Sequence, residues 1–292
     1  MQIKQMLKLA QDRGLDPLDA ELLIALGLKK DRIFVLSRPE SKLSPKQVDH
    51  IRTLIKKRSA GFPFAYLNGE KEFYGLNFQV KPGVLIPRPE TEMIVDYILE
   101  RFRQEKISLI DLGCGSGSII IALAKNRPEG DRYLGLDVSP QALKISRYNA
   151  NRHHLRDKIR FIKSDLLSRV LSSPALIRYL QTIKNQKLII SANLPYLRPQ
   201  QIKANPELKY EPRLALEAGR DGLKYYRQLL PQAKSLLNLG FSHISLILEI
   251  DPSQTEKLKD QIDRDLAGIK KKITIKNDLA GLSRFLMIDL EK

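Results

Sequence analysis

Five short apolar runs, "ISLIDLG", "RYLGLDV", "IRFIKSD", "KLIISAN" and "ISLILEI", are spaced along residues 107–250 with helix-length stretches between them. Strands spaced in this way cannot pair as tight hairpins. Each returns through a crossover, which sets them parallel in one sheet with helices on both faces. With both faces covered, such strands are apolar throughout instead of alternating. Two further runs, "KITIKND" and "SRFLMIDL", are separated only by "LAGL" and predict an antiparallel hairpin that closes the sheet. The expected fold class is α/β, a doubly wound sheet of seven strands.

The residues before this region have a different texture. Residues 1–72 predict a small helical domain. "DPLD" offers Asp16 as N-cap with Pro17 in the first helical position, and "SPKQ" repeats the device with Ser44, Pro45 and a capping-box Gln47. Val48, Ile51, Leu54 and Ile55 then fall on one helical stripe. Residues 61–90 are rich in Gly, Pro and aromatics, and alternation around "FYGLNFQV" predicts a β-hairpin. The expected organisation is 1–72 as a docking domain, 73–90 as a hairpin linker and 91–292 as the α/β domain, which opens on the amphipathic "ETEMIVDYILERF". No internal repeat interrupts this order.

Composition narrows the function classes. No apolar stretch approaches the ~20 residues of a membrane span, and the N-terminus lacks the apolar core and cleavage site of an export signal. A cytoplasmic protein is expected. The single cysteine, Cys114, leaves no intrachain disulfide, and adjacent His153 and His154 point in different directions on a helix, so no metal site is expected. The 50 Lys and Arg against 33 Asp and Glu give a net charge of +17. The excess is concentrated in Arg152, Arg156, Lys158, Arg160, Lys163, Arg169, Arg178, Lys184 and Lys187, and again in "IKKKITIK" at 269–276. Such a surface suits weak association with RNA or the ribosome, or attraction to an acidic protein; a solvated face accounts for it equally well.

"DLGCGSG", residues 111–117, stands between the first strand and a helix starting near Ser118. Gly113, Gly115 and Gly117 permit a tight turn and close approach of a ligand to the backbone, at a helix N-terminus. The spacing is neither GxGxxG nor a P-loop. Asp137 ends the second strand, where a carboxylate can accept both hydroxyls of a ribose, and Asp165 ends the third. This arrangement resembles the class I S-adenosylmethionine-dependent methyltransferases. The resemblance implies that Gly113, Cys114, Gly115, Ser116 and Gly117 line the cofactor, that Asp137 holds its ribose, and that Asp165 and Leu166 border its adenine.

The fourth strand ends in Asn193-Leu194-Pro195-Tyr196. Methyltransferases that modify exocyclic or amide nitrogen resemble this with (D/N/S)-P-P-(Y/F). A planar –NH2 is a poor nucleophile because its lone pair is delocalised. The Asn193 side-chain oxygen and the Leu194 carbonyl can take its two hydrogens and leave the lone pair facing an incoming methyl group. Tyr196 can pack on the flat face of the acceptor. Leu194 replaces the usual Pro but supplies the same carbonyl. Because "NLPY" also resembles ribosomal-RNA adenine dimethyltransferases, the motif alone leaves amide and adenine acceptors open.

The flanking segments separate the two. "VLIPRPETE" at 84–92, "YEPRLALEAGRDGLKYYR" at 210–227 and "DLAGLSRF" at 278–285 resemble the protein-(glutamine-N5) methyltransferases of peptide chain release factors, the HemK/PrmC type, over essentially the whole chain. That resemblance implies S-adenosylmethionine as cofactor and class 1 release factors as partners. The glutamine of their Gly-Gly-Gln tripeptide would be the target, held by Asn193, Leu194, Pro195 and Tyr196. Asn193 would also border the cofactor. It places Arg88, Glu90 and Thr91 beside the pocket, with hinge or helix-cap duty the plain alternative, and makes Glu211-Pro212-Arg213 a lid or an ordered loop. Asp251 stands where the relatives carry Gly. An RNA adenine-N6 methyltransferase and a catalytically silent binding module are the competing readings.

Overall fold

The computed structural model describes residues 1–127, 130–182 and 187–292. Lys184 of the basic stretch lies outside the described residues. The chain divides into two units, one of residues 1–70 with 206–210, the other of residues 71–205 with 211–292.

The first unit holds α1 (Ile3–Gln11), α2 (Pro17–Leu28), α3 (Arg32–Ser37), α4 (Pro45–Ser59) and α5 (Phe64–Asn68). The two expected starts are built as read. Asp16 accepts from the Asp19 N–H at 2.9 Å, and Ser44 and Gln47 form a reciprocal capping box. Ile51, Leu54 and Ile55 are buried against Ile3, Met6, Leu23 and Ile24, with Val48 half-buried at the margin. Gly27 lets α2 approach α4 closely, since a Cβ there would stand 2.4 Å from Ile51 Cγ1. Residues 206–210 return to this unit. The Tyr210 hydroxyl donates to the Ala60 carbonyl at 3.0 Å and its ring packs edge-on against Phe62.

A hairpin follows, β1 (Glu70–Phe73) and β2 (Leu76–Gln79). Tyr74 and Gly75, with φ of 54° and 69°, form a two-residue turn whose left-handed backbone matches the strand twist. Tyr74 tolerates this conformation because its N–H donates to Glu92 and its hydroxyl to Asp96, both on α6 (Glu92–Arg101).

The main sheet comprises β3 (Ile107–Leu112), β4 (Arg132–Asp137), β5 (Ile159–Lys163), β6 (Lys187–Ala192), β7 (His243–Glu249), β8 (Lys270–Asn277) and β9 (Ser283–Glu291), in the order β5-β4-β3-β6-β7-β9-β8. The five strands β3 to β7 are parallel, and β9 runs antiparallel between β7 and β8. Between the strands lie α7 (Ser118–Asn126), α8 (Pro140–Arg152), α9 (Ser168–Leu171), α10 (Pro174–Leu180), α11 (Pro199–Ala204), α12 (Lys224–Asn238) and α13 (Thr255–Asp265). Alternate residues of the buried strands feed two cores. Ile110, Leu112, Leu188 and Ile190 meet residues of α12 and α13 on one face. Ile107, Leu109 and Ile189 meet residues of α6, α7 and α8 on the other.

Register is what builds a site. Leu112 pairs with Leu136 and with Ala192, Asp137 with Lys163, and Ala192 with Leu248. The strand ends are therefore level. The glycine loop after β3, Asp137, Asp165, Asn193 and Glu249 all emerge along one edge. The chain order reverses between β3 and β6, so this edge is the switch point where ligands of open α/β sheets bind.

Candidate active site

A cleft of about 130 Å³ opens along that edge. Its walls include Gly113, Cys114, Gly115, Ser116, Asp137, Asp165, Leu166, Asn193, Leu194 and Pro195. Among the residues expected there, Gly117 and Tyr196 do not line it. Gly117 (φ 82°) instead starts α7, and a Cβ on it would press to 2.9 Å from Ile121 and 3.2 Å from Ser146. It is needed for the turn and for packing. The buried Cys114 thiol is pushed up from its ordinary value by burial.

Asp137 is held by the backbone. Its two oxygens accept from the N–H groups of Gly115 at 2.9 Å and Ser139 at 2.8 Å. Burial raises this carboxyl and those hydrogen bonds oppose the rise. Each oxygen keeps a lone pair, which is the capacity a ribose diol requires. One strand over, Asp165 is exposed at the rim, and Leu166 is buried in a left-handed conformation (φ 47°), with its carbonyl accepting from Ser164 Oγ at 2.7 Å. A bulky residue in that region is strained. Leu166 and Val138 both supply apolar wall to the cleft. Carboxylates after successive strands, an apolar slot and a glycine-lined floor fit a nucleoside cofactor with an amino-acid tail.

Two residues without a part in the sequence reading support this floor. Asp111, 1% exposed, accepts from Ser191 Oγ at 2.9 Å through Oδ1, while its Oδ2 has no partner among the described residues. Burial lifts its carboxyl to about 7, with the Ser191 bond opposing and Asp137 adding. Asn149 on α8 is fully buried and bridges three backbone groups: it accepts from Gln79 N–H and donates to the Gln79 and Ser116 carbonyls. The hairpin is thereby fastened to the glycine loop.

At the other end of the cleft, Asn193 is half-buried, and its Nδ2 donates to Thr91 Oγ1 at 2.9 Å. Thr91 Oγ1 in turn donates to Glu249 Oε2 at 2.7 Å, and the Tyr196 hydroxyl donates to Glu249 Oε1 at 3.2 Å. No described residue donates to Asn193 Oδ1, nor is that atom among the buried polar atoms lacking a partner, so it is open at the cleft wall. The Leu194 carbonyl beside it likewise accepts no hydrogen bond from the described residues. The Tyr196 ring stands half-buried against the core, its phenol pushed up by burial and by the charge of Glu249. Glu249 is 1% exposed and its carboxyl is lifted to about 7 by burial, against the pull of the Thr91 and Tyr196 bonds. The sequence carried a signal for it: an acid at the end of an otherwise apolar strand.

Thr91 makes no helix cap, so its hydroxyl serves Glu249 alone as a donor. Arg88 pairs with the buried Glu211, whose other oxygen accepts from the Ile86 N–H at 3.1 Å. That ion pair straps residues 84–88 to Pro212, Leu214 and Ala215, and both segments line the cleft. Glu90 is exposed. Asp251 has φ −76°, a conformation open to any residue, and it caps the turn that follows by accepting from the Ser253 N–H. It also accepts from Gln201, so the position uses the carboxylate that Gly lacks. Behind it Gln254 donates to the carbonyls of Tyr196 and Asp221. Gly222 makes this possible, because a Cβ there would lie 1.9 Å from Gln254 Nε2.

The basic residues are partly engaged. Lys158 donates to the Ala124 carbonyl, Lys187 pairs with Glu105, and Arg160 stacks over Tyr179. His153 donates to the Asn77 carbonyl at 2.9 Å and its ring contacts Phe78. Among the described residues no helix is long and apolar enough to cross a membrane.

Residues 1–69 match the family described as PrmC N-terminal domain, and residues 103–194 match the family described as Methyltransferase domain. The chain is 38% identical over 273 residues to the release factor glutamine methyltransferase of Coxiella burnetii, covering 92% of this chain and 90% of that protein. It is 37% identical over 245 residues to the enzyme of the same name from Moorella thermoacetica, covering 83% and 81%. Among solved structures the hMettl16 catalytic domain superposes with a TM-score of 0.54 at 16% identity, over 75% of this chain and 76% of that one, a likeness of fold alone. Identity at this level across nine-tenths of both chains, together with the helical unit and the methyltransferase sheet, establishes that the chain belongs to the release factor glutamine methyltransferase family.

Proposed function

We propose that this enzyme transfers a methyl group from S-adenosylmethionine to the side-chain amide nitrogen of the glutamine in the Gly-Gly-Gln tripeptide of class 1 peptide chain release factors. The observation that carries the reading is the open Asn193 Oδ1 next to an unengaged Leu194 carbonyl, level with the glycine loop one strand away. Asn193 Oδ1 and the Leu194 carbonyl accept the two amide hydrogens of the glutamine and hold its nitrogen in line. Gly113 to Ser116, Asp137, Asp165 and Leu166 hold the cofactor, with Asp137 on the ribose and Leu166 against the adenine. When bound, S-adenosylmethionine supplies a methyl group on a positively charged sulfur that departs as a neutral thioether. Pro195 flanks the acceptor, Tyr196 anchors the segment through its hydroxyl on Glu249, and the Arg88–Glu211 strap keeps the segments over the acceptor in place and water out. No general base is required, since the amide proton is lost to solvent after transfer; positioning supplies most of the catalysis.

The helical unit, matched by the PrmC N-terminal domain family, docks the release factor in this reading. The charge of +17 assists approach to a factor near ribosomal RNA in the cytoplasm. The test is a radiolabelled methyl-transfer assay with three substrates: a release factor, the same factor with its tripeptide glutamine changed to alanine, and small-subunit ribosomal RNA. Label is expected in the first only. Asn193→Ala is expected to lower transfer by about a hundredfold or more while cofactor affinity changes little. Label in RNA alone, or near-normal turnover by Asn193→Ala, refutes the reading.

A further inference from the structure

We propose that Thr91 and Glu249 are positioning residues that fix the amide orientation of Asn193, so that its oxygen and not its –NH2 faces the acceptor. This deepens the preceding reading and rests on it. An Asn side chain is nearly symmetric in shape, and turned over it would present two donors to a substrate nitrogen that must itself donate. Such a site would repel the glutamine amide. The orientation therefore has to be imposed from behind.

The relay imposes it by donor counting. Above about pH 7, where Glu249 is ionised, its carboxylate only accepts, so Oε2 takes the single hydroxyl proton of Thr91. Thr91 Oγ1 then has only lone pairs left to offer, and Asn193 can meet them solely with Nδ2. The opposite end of the amide, Oδ1, is thereby committed to the cleft. Glu249 Oε1 is occupied by the Tyr196 hydroxyl, so the same carboxylate also anchors the ring at the end of the Asn193-Leu194-Pro195-Tyr196 segment. The backbone carbonyl of Glu249 accepts from the Tyr226 hydroxyl on α12, which holds the strand end itself.

A purely structural role does not account for this arrangement. Burying a carboxyl at 1% exposure is costly, and an apolar residue would pack the end of β7 at less expense. Thr91 is likewise buried yet caps no helix, and its hydroxyl links one group behind the cleft to one in its wall. Both are spent on aiming Asn193.

The test compares full-length wild type, Thr91→Val, Thr91→Ser and Asn193→Ala in methyl transfer to an intact release factor, with S-adenosylmethionine affinity measured separately by calorimetry. Thr91→Val keeps the shape and removes the hydroxyl. It is expected to lower kcat by about tenfold to a hundredfold, with KM for the factor and cofactor Kd within about twofold of wild type. Thr91→Ser, which restores the hydroxyl, should recover most of the loss. If Asn193→Ala is inactive while Thr91→Val turns over at the wild-type rate, the relay is overturned and the amide grip stands. If Asn193→Ala itself remains active, both fall. Should Thr91→Val fail to fold, the side-chain amide signal of Asn193 in nitrogen-15-labelled wild type decides, assigned by its loss in Asn193→Ala. Slowed hydrogen exchange at that –NH2 supports the relay, and exchange as fast as an exposed Asn overturns it.

Discussion

Leu194 shows how one residue can serve chemistry with its backbone and stability with its side chain. Its carbonyl accepts no hydrogen bond from the described residues, while the side chain is 3% exposed in the core and packs against Gly113. No described residue accepts from its N–H, so the proline common at this position would forfeit no internal hydrogen bond. Leu194→Pro is expected to retain methyl transfer and to lose packing worth about 1–2 kcal/mol, seen as a Tm lower by about 3–6 °C. A folded variant without activity would show that the loop needs the conformation Leu allows. The motif was legible because it is local; the dual use of Leu194 was not, because burial of a side chain depends on neighbours far along the chain.

Among the elements, α8 does more than cover the sheet. Through Asn149 it joins β2 to the loop after β3, residues separated by 70 and 33 positions. Asn149→Ala removes the partners of the half-buried Gln79 N–H and carbonyl and is expected to cost about 1–2 kcal/mol. Because Ser116 loses a partner too, cofactor affinity should weaken several-fold, as about 1 kcal/mol of loop ordering implies. Thermal melting and calorimetry check both, and an unchanged melting curve would show that the bridge is dispensable. The capping sequences of α2 and α4 could be read directly because a cap involves residues three apart. The bridge from α8, the return of residues 206–210 to the helical unit, and the Arg88–Glu211 strap involve partners too distant for periodicity to reveal.

For the molecule as a whole, two buried carboxyls govern how stability varies with pH. Asp111 and Glu249 both sit at about 7, well above the usual carboxylate range, chiefly through burial. Between pH 4 and 7, roughly, the folded chain keeps protons that the unfolded chain releases, so the unfolded state binds fewer and stability falls as pH rises. Above that window the loss is complete, on the order of 3 kcal/mol for each group. Glu249→Gln, neutral at every pH, is expected to match wild type near pH 4 and exceed it above pH 7, by urea unfolding. Equal curves at both ends would mean that the carboxyl is not held protonated. Asp111→Asn should flatten the same limb.

What the sequence determined by itself was the α/β alternation, the glycine loop, the acids at successive strand ends and the Asn193-Leu194-Pro195-Tyr196 segment, because each is set by local period or short spacing. Only the tertiary structure decided which groups face each other across the level strand ends. Asn193 is aimed by Thr91, 102 positions earlier, and through it by Glu249, 158 positions from Thr91. The physical reason is that hydrogen-bond direction in a buried chain of donors and acceptors is settled by its last member, and that member arrives only when β7 takes its place in the sheet.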